Sequence, residues 1–400
     1  MLEEERKYDV DAAFVVPDLA AASGCRVVAN SSLTLTATYW DTTDLRLARA
    51  GASLRHRKGD ADPWTVKLPA DAPDARHEIS RSGKPGRVPD ELRAIVASLT
   101  RGADLSPVAV VRTVRQAYEV FDADDRLLAE VADDAVAVID GRRVRDRFRE
   151  IEVERKAGRG KILDRIDAAL RDAGAKRGDF IPKHVRALGA AATAEPDLIP
   201  AGDLPADPTA GDVVTFAIRR SVSRLLAHDP FVRLREPVGD DDTAVHQMRV
   251  ACRRLRSDLR TFRPLVQAGW AGGLRDELKW LADALGAARD AEVLRARLHV
   301  TATADPLCPV EEAAVARIDA TLAARQEAAL DDLDHVIRSD RYLGLVEALV
   351  AATRKPKLTR RADKPAKEVL PRLVAKPWRR LATGRKGATG AADLDLATSD

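Results

Sequence analysis

The sequence predicts two domains of different class, an antiparallel β-barrel or tightly curled sheet in residues 1–192 and an all-α bundle in residues 213–400. The first half contains about eight short segments in which polar and apolar residues alternate, separated by glycine and proline. In the second half, apolar residues recur at spacings of three and four, as in amphipathic helices. Residues 193–212 contain four prolines, so we expect a linker there.

The composition fits this division. With 400 residues, 45% apolar and 32% charged, the chain is long enough to bury two cores. Its three cysteines, Cys25, Cys252 and Cys308, are scattered and indicate neither a disulfide framework nor a zinc site. The N-terminus does not resemble a leader peptide, and no run of about 18 apolar residues occurs. We therefore expect a cytoplasmic protein without a membrane segment.

Two acidic segments are the strongest chemical signal in the first half. Residues 3–7 read Glu-Glu-Glu-Arg-Lys, and residues 150–156 read Glu-Ile-Glu-Val-Glu-Arg-Lys. In a strand, every second side chain lies on the same face, so each segment places a row of carboxylates on one face. Such a row is repulsive unless a cation compensates it, and hard divalent cations such as Mg²⁺ bind carboxylates of this kind. The alternative is a pair of solvated strand faces.

Basic residues occupy alternate positions on other predicted strands. Arg55 and Arg57 share a face in residues 53–58, and Lys67 and Arg115 lie on later strands. A sheet that faces solvent commonly carries mixed charges. Basic pairs together with repeated Glu-x-Glu segments would also suit a polar barrel interior, in which cations and basic groups hold a polyanion.

These segments, in this order, resemble the CYTH family, the triphosphate tunnel metalloenzymes. The matching segments are residues 3–7 (ExExK), 39–42 (YxDT), 54–57 (LRxR) and 64–67 (xTxK). At residues 182–184, Pro-Lys-His stands where the family has an SKY-like segment, and it departs from that segment at both flanking residues. The resemblance covers most of residues 1–190. It implies an eight-stranded antiparallel β tunnel with flanking helices that binds a triphosphate and a divalent metal.

The resemblance also implies roles for individual residues. The metal, Mg²⁺ or Mn²⁺, would be held by Glu3, Glu5, Glu152 and Glu154. The phosphates would be contacted by Arg55, Arg57, Lys67, Arg115 and Lys183. Catalysis would depend on Glu5 and Lys7. Further carboxylates that could support the metal ligands or a second metal are Glu78, Glu130, Asp134 and Glu150.

The informative segment of the second half is the helix predicted over residues 244–262. It carries an apolar stripe and, beside it, a basic stripe that favours a polyanion as ligand. The basic residues of this helix are His246, Arg249, Arg253, Arg256 and Arg260, and Lys279 and Arg289 follow on the next predicted helix. The alternative is a solvated face whose arginine stems cover apolar surface.

Residues 245–256 and 285–290 resemble the CHAD family, the conserved-histidine α-helical domain. The resemblance implies a helical bundle whose basic surface binds polyphosphate. The family usually has two similar halves, each with a His- and Arg-bearing helix. A second such helix is not found in residues 213–400, so we expect the second half of this domain to be missing.

Together these patterns favour a metal-dependent hydrolase of triphosphate or a related linear phosphate chain, joined to a polyphosphate-binding domain, with granule association as a further expectation. One alternative is a CYTH-type adenylate cyclase, for which Tyr39, Trp40 and Trp64 would have to supply the base pocket. A second is a non-catalytic polyphosphate-binding protein. A third is a nucleic-acid binder, which the lack of aromatic residues beside the arginine stripe disfavours.

Overall fold

The chain forms two units in the computed structural model, residues 1–197 and residues 198–400. The structure describes residues 2–70, 75–157, 161–177, 181–235, 243–302 and 311–388. The boundary between the units lies within the predicted linker, residues 193–212. Each unit has a core of its own.

A closed ring of eight antiparallel strands is the main feature of the first unit. Among the described residues the unit has ten strands, eight in the ring and two short ones beside it: β1 (Leu2–Val10), β2 (Arg26–Ala29), β3 (Leu33–Asp41), β4 (Ser53–Lys58), β5 (Trp64–Pro69), β6 (Ala75–Arg81), β7 (Ser106–Phe121), β8 (Leu127–Asp140), β9 (Arg143–Arg155) and β10 (Lys176–Arg177). The order around the ring is β1-β6-β5-β4-β3-β7-β8-β9, and β9 pairs with β1 to close it. The short β2 and β10 pair with β7 and β1. The predicted barrel is confirmed.

Helices flank the barrel and make up the second unit. Those of the first unit are α1 (Leu19–Ser23), α2 (Arg46–Arg49), α3 (Asp90–Ile95), α4 (Ala97–Thr100), α5 (Lys161–Asp172) and α6 (Lys183–Leu188). Those of the second unit are α7 (Ala210–Leu234), α8 (Ala244–Thr261), α9 (Ala268–Ala302), α10 (Glu312–Arg338), α11 (Asp340–Arg354) and α12 (Ala366–Ala388). Within the described residues, no helix combines the length and apolar character that a membrane span requires.

The main apolar core of the first unit lies outside the barrel. On β9, Ile151 and Val153 point outwards and pack against α5, whose residues Ile162 and Ile166 belong to the same buried cluster. Because side chains alternate along a strand, the glutamates between and beside these apolar residues point into the barrel. The interior is therefore free to be polar.

The second unit has an apolar core between its helices, and α8 contributes one face of it. Thr243 caps α8, since its hydroxyl accepts the backbone N–H of His246 at 3.3 Å. The predicted apolar stripe is buried, including Met248, Cys252 and Leu255. The predicted helix over residues 244–262 is thus observed at residues 244–261.

A buried polar cluster joins α7 to α11 inside this core. Asp229 accepts hydrogen bonds from Arg233 Nε at 2.9 Å and from Tyr342 Oη at 2.6 Å. Asp229 and Tyr342 are both fully buried. Burial, together with the Asp229 carboxylate, raises the pKa of Tyr342 well above its usual range. The cluster therefore depends on Asp229 to neutralise the Arg233 charge.

We expect Asp229→Ala to lower the free energy of unfolding by about 3–5 kcal/mol, because it leaves the Arg233 guanidinium buried without its carboxylate. A matched control is Glu277→Ala, which breaks an exposed pair with Arg341 (2.8 Å) and should lower the free energy of unfolding far less, because solvent screens that pair. Denaturant titration of both variants measures the difference. Equal losses would show that the buried pair is no more important than the exposed one.

Candidate functional site

A cavity of about 560 Å³ lies inside the barrel, and each of the eight ring strands contributes to its lining. The residues predicted for the site that line it are Glu5, Lys7, Arg55, Arg57, Lys67, Glu78, Arg115, Glu130, Glu152, Glu154 and Lys183. Asp134 and Glu150 lie behind Lys183 and contact its ammonium. The backbone of Glu3 belongs to β1, but its side chain lies outside the described part of the structure.

The charges divide the cavity into two walls. The acidic wall, on β1, β8 and β9, consists of Glu5, Glu130, Asp134, Glu150, Glu152 and Glu154. The basic wall, on β4, β5 and β6, consists of Arg55, Arg57, Lys67 and Arg76. Glu78 lies on the basic wall, where it contacts Lys67 at 3.0 Å. A ligand inside the barrel therefore meets carboxylates on one side and cations on the other.

Three carboxylates of the acidic wall form one row across neighbouring strands. Glu130 of β8 is paired with Glu154 of β9, which is paired with Glu5 of β1. The Cβ atoms of directly opposite residues in antiparallel strands are about 4.5–5.5 Å apart. We call Glu5, Glu130 and Glu154 the outer row.

The cavity is open at one end and closed at the other. Along β9, the exposed fraction of the side chain rises from 2% at Glu150 to 12% at Glu152 and 27% at Glu154. At the Glu150 end, Ala187 of α6 packs into an apolar cluster with Tyr39 and neighbouring side chains of β3, β7 and β8. The outer row therefore lies near the mouth, and α6 closes the opposite end.

An inner network of ion pairs lies between the outer row and α6. Lys183 Nζ is 2.9 Å from Asp134, 2.6 Å from Glu150 and 2.8 Å from Glu152. Arg115 donates to both oxygens of Asp134, at 2.8 and 2.6 Å, and to Glu152 at 2.8 Å. Lys7 contacts Glu152 and lies 3.6 Å from Glu5. Three carboxylates thus share three cations.

The network shifts the pKa values of its members in different directions. Burial opposes the charge of Lys183, but the nearby carboxylates, chiefly Glu152, outweigh it and hold the pKa of Lys183 well above its usual value. Burial likewise opposes the charge of Glu152, and Lys183, Lys7 and Arg115 together hold its pKa well below the usual range. For Glu150, burial prevails over the same ammonium groups and raises the pKa. Glu152 is therefore the firmly ionised centre of the network.

Two sets of carboxylates could hold a divalent metal. Asp134, Glu150 and Glu152 bring one oxygen each to within 4.8 Å of one another. Lys183 already contacts all three of them. In the outer row, Glu5 lies 3.6 Å from Lys7 and Glu130 lies 3.8 Å from Arg115, whereas Glu154 pairs with the partly exposed Lys156 at 2.6 Å. Either set consists of the hard oxygen donors that Mg²⁺ and Mn²⁺ prefer.

Three ionisable lining residues were not among the predicted site residues: Arg76, Lys156 and His184. Arg76 lines the basic wall, and its alternation with Glu78 on β6 could have revealed it. His184 follows Lys183 on α6 and faces the closed end of the cavity. The departure from the family's SKY-like segment is the sequence signal that marks this position.

The predicted basic stripe of α8 lies on the surface of the helical unit. Arg253 and Arg260 are exposed, whereas His246, Arg249 and Arg256 are partly buried. Lys279 and Arg289 of α9 form pairs along their own helix, with Asp283 at 2.5 Å and Glu292 at 3.0 Å. A further arginine of α9, Arg275, was not among the predicted basic residues. The Nε atoms of Arg256 and Arg275 are buried and have no hydrogen-bond partner among the described residues.

Comparison with known proteins matches both units. The CYTH domain model matches residues 1–182, and the CHAD domain model matches residues 216–397. Over 419 residues the chain is 34% identical to the uncharacterized protein Rv2226 of Mycobacterium tuberculosis (strain ATCC 25618 / H37Rv), with 98% of this chain and 77% of that protein covered.

Two solved structures resemble the chain more distantly. PptA from Streptomyces chartreusis is 24% identical, with 47% of this chain and 62% of that chain covered and a TM-score of 0.37. A candidate adenylyl cyclase from Hippeastrum, described as having a dominant triphosphatase activity, is 17% identical, with 46% and 94% covered and a TM-score of 0.32.

The matched ranges agree with the two units. Residues 1–182 contain the closed barrel with its charged interior, and residues 216–397 contain the helices from α7 onward. The chain therefore belongs to the protein family in which a CYTH domain, with its triphosphate tunnel fold, is followed by a CHAD domain.

Proposed function

We propose that the barrel hydrolyses inorganic triphosphate, or a related linear phosphate chain, with the help of a divalent metal. The observation that carries this proposal is the division of one closed-ended cavity into an acidic and a basic wall. The basic wall would bind a phosphate chain, and the carboxylates of the acidic wall would hold a metal that neutralises phosphate charge. Phosphoryl transfer requires mainly positioning and neutralisation of charge, and such a cavity supplies both.

The outer row is the better of the two metal sites. In the inner network Lys183 occupies the centre of the carboxylate cluster, so a metal there would have to displace a buried ammonium. Glu5 and Glu154, with Glu130 beside them, lie at the mouth and would hold the metal there. Lys156, which pairs with Glu154 at 2.6 Å, is more exposed than Lys183 and would be easier to displace. The predicted ligands Glu3 and Glu152 lie two residues from Glu5 and Glu154 along β1 and β9. When bound, Mg²⁺ or Mn²⁺ would neutralise phosphate charge and polarise the bond that breaks.

The basic residues divide into two groups. Arg57 and Lys67 line the basic wall and are the most direct phosphate ligands. The Arg57 side chain is held in place by a hydrogen bond of 2.5 Å from its Nε to the Asp60 carboxylate. Arg115 and Lys183 are engaged by the inner network. Their first role is to keep the acidic wall in place, and they reach phosphate only at its innermost position.

The cavity favours a phosphate chain over a nucleotide. Trp64 is fully buried and packs on His56 and Trp40, on the side of the sheet that faces away from the cavity. Among the described lining residues, Tyr39 is the one aromatic side chain besides the imidazole of His184, and it lies at the closed end. A nucleobase at the mouth would find no stacking partner there, which disfavours the adenylate cyclase alternative.

For the helical unit, we propose binding of long-chain polyphosphate on α8 and the adjoining part of α9. The exposed Arg253 and Arg260 and the partly buried Arg249 and Arg256 follow one another along one side of α8. Arg249 lies against Gly286, where a Cβ atom would be 3.6 Å from its Nε. Several guanidinium groups on one surface suit a polymer with a charge on every unit.

We expect Glu5→Gln to lower metal-dependent phosphate release from triphosphate by about a hundredfold or more, because it removes one charge from the outer row. The matched control is Glu4→Gln, which changes the neighbouring residue on the outer face of β1, where Glu4 pairs with Arg155 at 2.7 Å. The control should retain nearly full activity.

Phosphate release is measured with triphosphate, ATP and long-chain polyphosphate, each with Mg²⁺ and with Mn²⁺. The proposal requires the wild type to release phosphate with a metal and to lose this activity with a chelator. Wild-type binding without any release would favour the non-catalytic alternative. Full turnover by Glu5→Gln would contradict the metal assignment.

Arg57→Ala should raise the KM for triphosphate about tenfold or more and leave the metal dependence unchanged, because it removes a phosphate ligand of the basic wall. Lys58→Ala removes an exposed charge on the opposite face of β4 and serves as control. Steady-state kinetics at several metal concentrations separate the two effects. A changed metal requirement with an unchanged KM would reverse the assigned roles of the two walls.

Replacing Arg249, Arg253 and Arg256 together by alanine should abolish most binding of long-chain polyphosphate to the helical unit. The control removes the same charge from exposed positions on α9 and α10, at Arg297, Arg317 and Arg325. Titrations of the full chain are performed with a chelator at two salt concentrations, and binding should weaken steeply with salt. Equal affinity of both variants would remove α8 from the ligand surface, and a preference for DNA would favour the nucleic-acid alternative.

A further inference from the structure

A row of cations crosses the outer surface of the barrel wall. The strand register pairs Lys58 of β4 with Thr36 of β3, Thr36 with Arg112 of β7, Arg112 with Ala137 of β8, and Ala137 with Arg147 of β9. Directly opposite residues lie on the same face of a sheet. The chain neighbours of these five residues line the cavity or pack at its closed end, so the row itself faces outwards. We call its three exposed cations, Lys58, Arg112 and Arg147, the basic track.

The basic track differs from the other arginines on the outer surface in having no acidic partner. Near α5, Arg6 pairs with Asp164 at 2.7 Å and Arg149 pairs with Asp133 at 2.8 Å. Among the described residues, no carboxylate forms an ion pair with a member of the basic track. Its positive charge is therefore not neutralised within the part of the chain that the structure describes.

The residues beside the basic track are uncharged. The two adjoining rows on the same face of β3, β7 and β8 contain threonine, valine, alanine and isoleucine, namely Thr34, Val114 and Ala135 on one side and Thr38, Val110 and Ile139 on the other. The cations thus form a single file. The two backbones of a DNA duplex are separated by grooves about 6 and 12 Å wide, so a duplex along this file would place its second backbone over uncharged residues. A single phosphate chain matches the file better.

The basic track also leads towards the mouth of the cavity. Neighbouring strands of the ring are antiparallel, so β4 and β9, which are four places apart, run in the same direction. Along β9 that direction is from the closed end at Glu150 to the mouth at Glu154. Arg147 precedes Glu150, whereas Lys58 is the last residue of β4 and follows Arg57, which lines the cavity. The track therefore runs obliquely from the closed-end side to the rim beside Arg57.

We propose that the basic track binds the part of a long polyphosphate chain that stays outside the barrel while the end of the chain occupies the cavity. This inference rests on the proposed function and extends it to the length of the substrate. Adjacent strands are about 4.8 Å apart, so the five positions of the row span about 19 Å with a cation about every 10 Å. A polymer with a charge on every unit can contact all three cations.

A second contact on the same chain raises the effective concentration of its end at the mouth. Triphosphate gains nothing from the basic track, because a ligand of three phosphates that lies inside the cavity has no part left outside. The outer surface therefore favours long chains over short ones, and it does so without changing the residues that face the reacting phosphate.

The kinetic test replaces Lys58, Arg112 and Arg147 together by glutamine. We expect the KM for long-chain polyphosphate to rise about fivefold or more at low salt, and the KM for triphosphate to change less than about twofold. The control removes one lysine and two arginines from exposed positions on α5, at Lys161, Arg165 and Arg171. It should leave both constants nearly unchanged.

Steady-state phosphate release from the two substrates measures these constants, and thermal unfolding verifies the fold of each variant. An equal rise in KM for both substrates would overturn the inference, because the track would then act on the cavity and not on the outer part of a chain. An equal effect of the control on long-chain polyphosphate would overturn it as well, because net charge alone would explain the loss.

A binding titration separates failure of this inference from failure of the proposed function. It uses the full chain in which Arg249, Arg253 and Arg256 are already replaced by alanine, with a chelator, so that neither α8 nor hydrolysis contributes. Long-chain polyphosphate should still bind, and replacing the basic track should weaken this binding about fivefold or more, whereas the α5 control should not.

The outcomes of the titration are distinct. Loss of binding in the track variant, with no phosphate release by the wild type, would refute the proposed hydrolysis and leave the basic track supported as a binding surface. No binding before the track is replaced, or equal affinity of the track and control variants, would overturn the inference even if the barrel hydrolyses triphosphate. Tighter binding of duplex DNA than of polyphosphate would overturn the assignment of a single phosphate chain.

Discussion

The structure of the first unit depends on the compensation of charge inside the barrel. Asp134, Glu150 and Glu152 are buried next to one another, and isolated buried carboxylates would cost many kcal/mol each. Lys183 and Arg115 neutralise this cluster with several hydrogen bonds apiece. Because the interior is charged, the apolar core has to form elsewhere, and the outward faces of β1, β8 and β9 supply it by packing against α5.

The same network explains why a helix of six residues can close the barrel. α6 is too short to be stable by itself, but Lys183 anchors it to the acidic wall and Arg186 pairs with Asp9 of β1. Ala187 adds an apolar contact to the barrel interior. Once Lys183 is fixed, its neighbour His184 is held against Tyr39. The buried ion pairs of Lys183 and the ring contact of His184 therefore depend on the same turn of helix.

Alternation along the strands made much of the site predictable from the sequence. Arg112 and Arg115 are three residues apart on β7, so the alternation of side chains places them on opposite faces of the strand. In the structure Arg115 lines the cavity and Arg112 is exposed on the outside. The outer row was not predictable, since it depends on the register between β8, β9 and β1. The helix α6 has only six residues, too few for a helical periodicity to be recognised in the sequence. The hydrogen bond from Tyr342 to Asp229 was also not predictable, because the two residues are 113 positions apart.

The two units present positive charge to a ligand in different ways. Inside the barrel, Arg115 and Lys183 are paired with buried carboxylates, and close buried pairs are screened little by salt. On α8, Arg253 and Arg260 are exposed. At physiological salt, the electrostatic field of an exposed charge is screened over a distance of about 8–10 Å. A phosphate ligand of the barrel must fit among charges whose positions are already fixed, so its length and geometry matter. On the proposed polyphosphate surface of α8, exposed charges of this kind would respond to the charge density of the ligand, which favours a long polymer over a short chain.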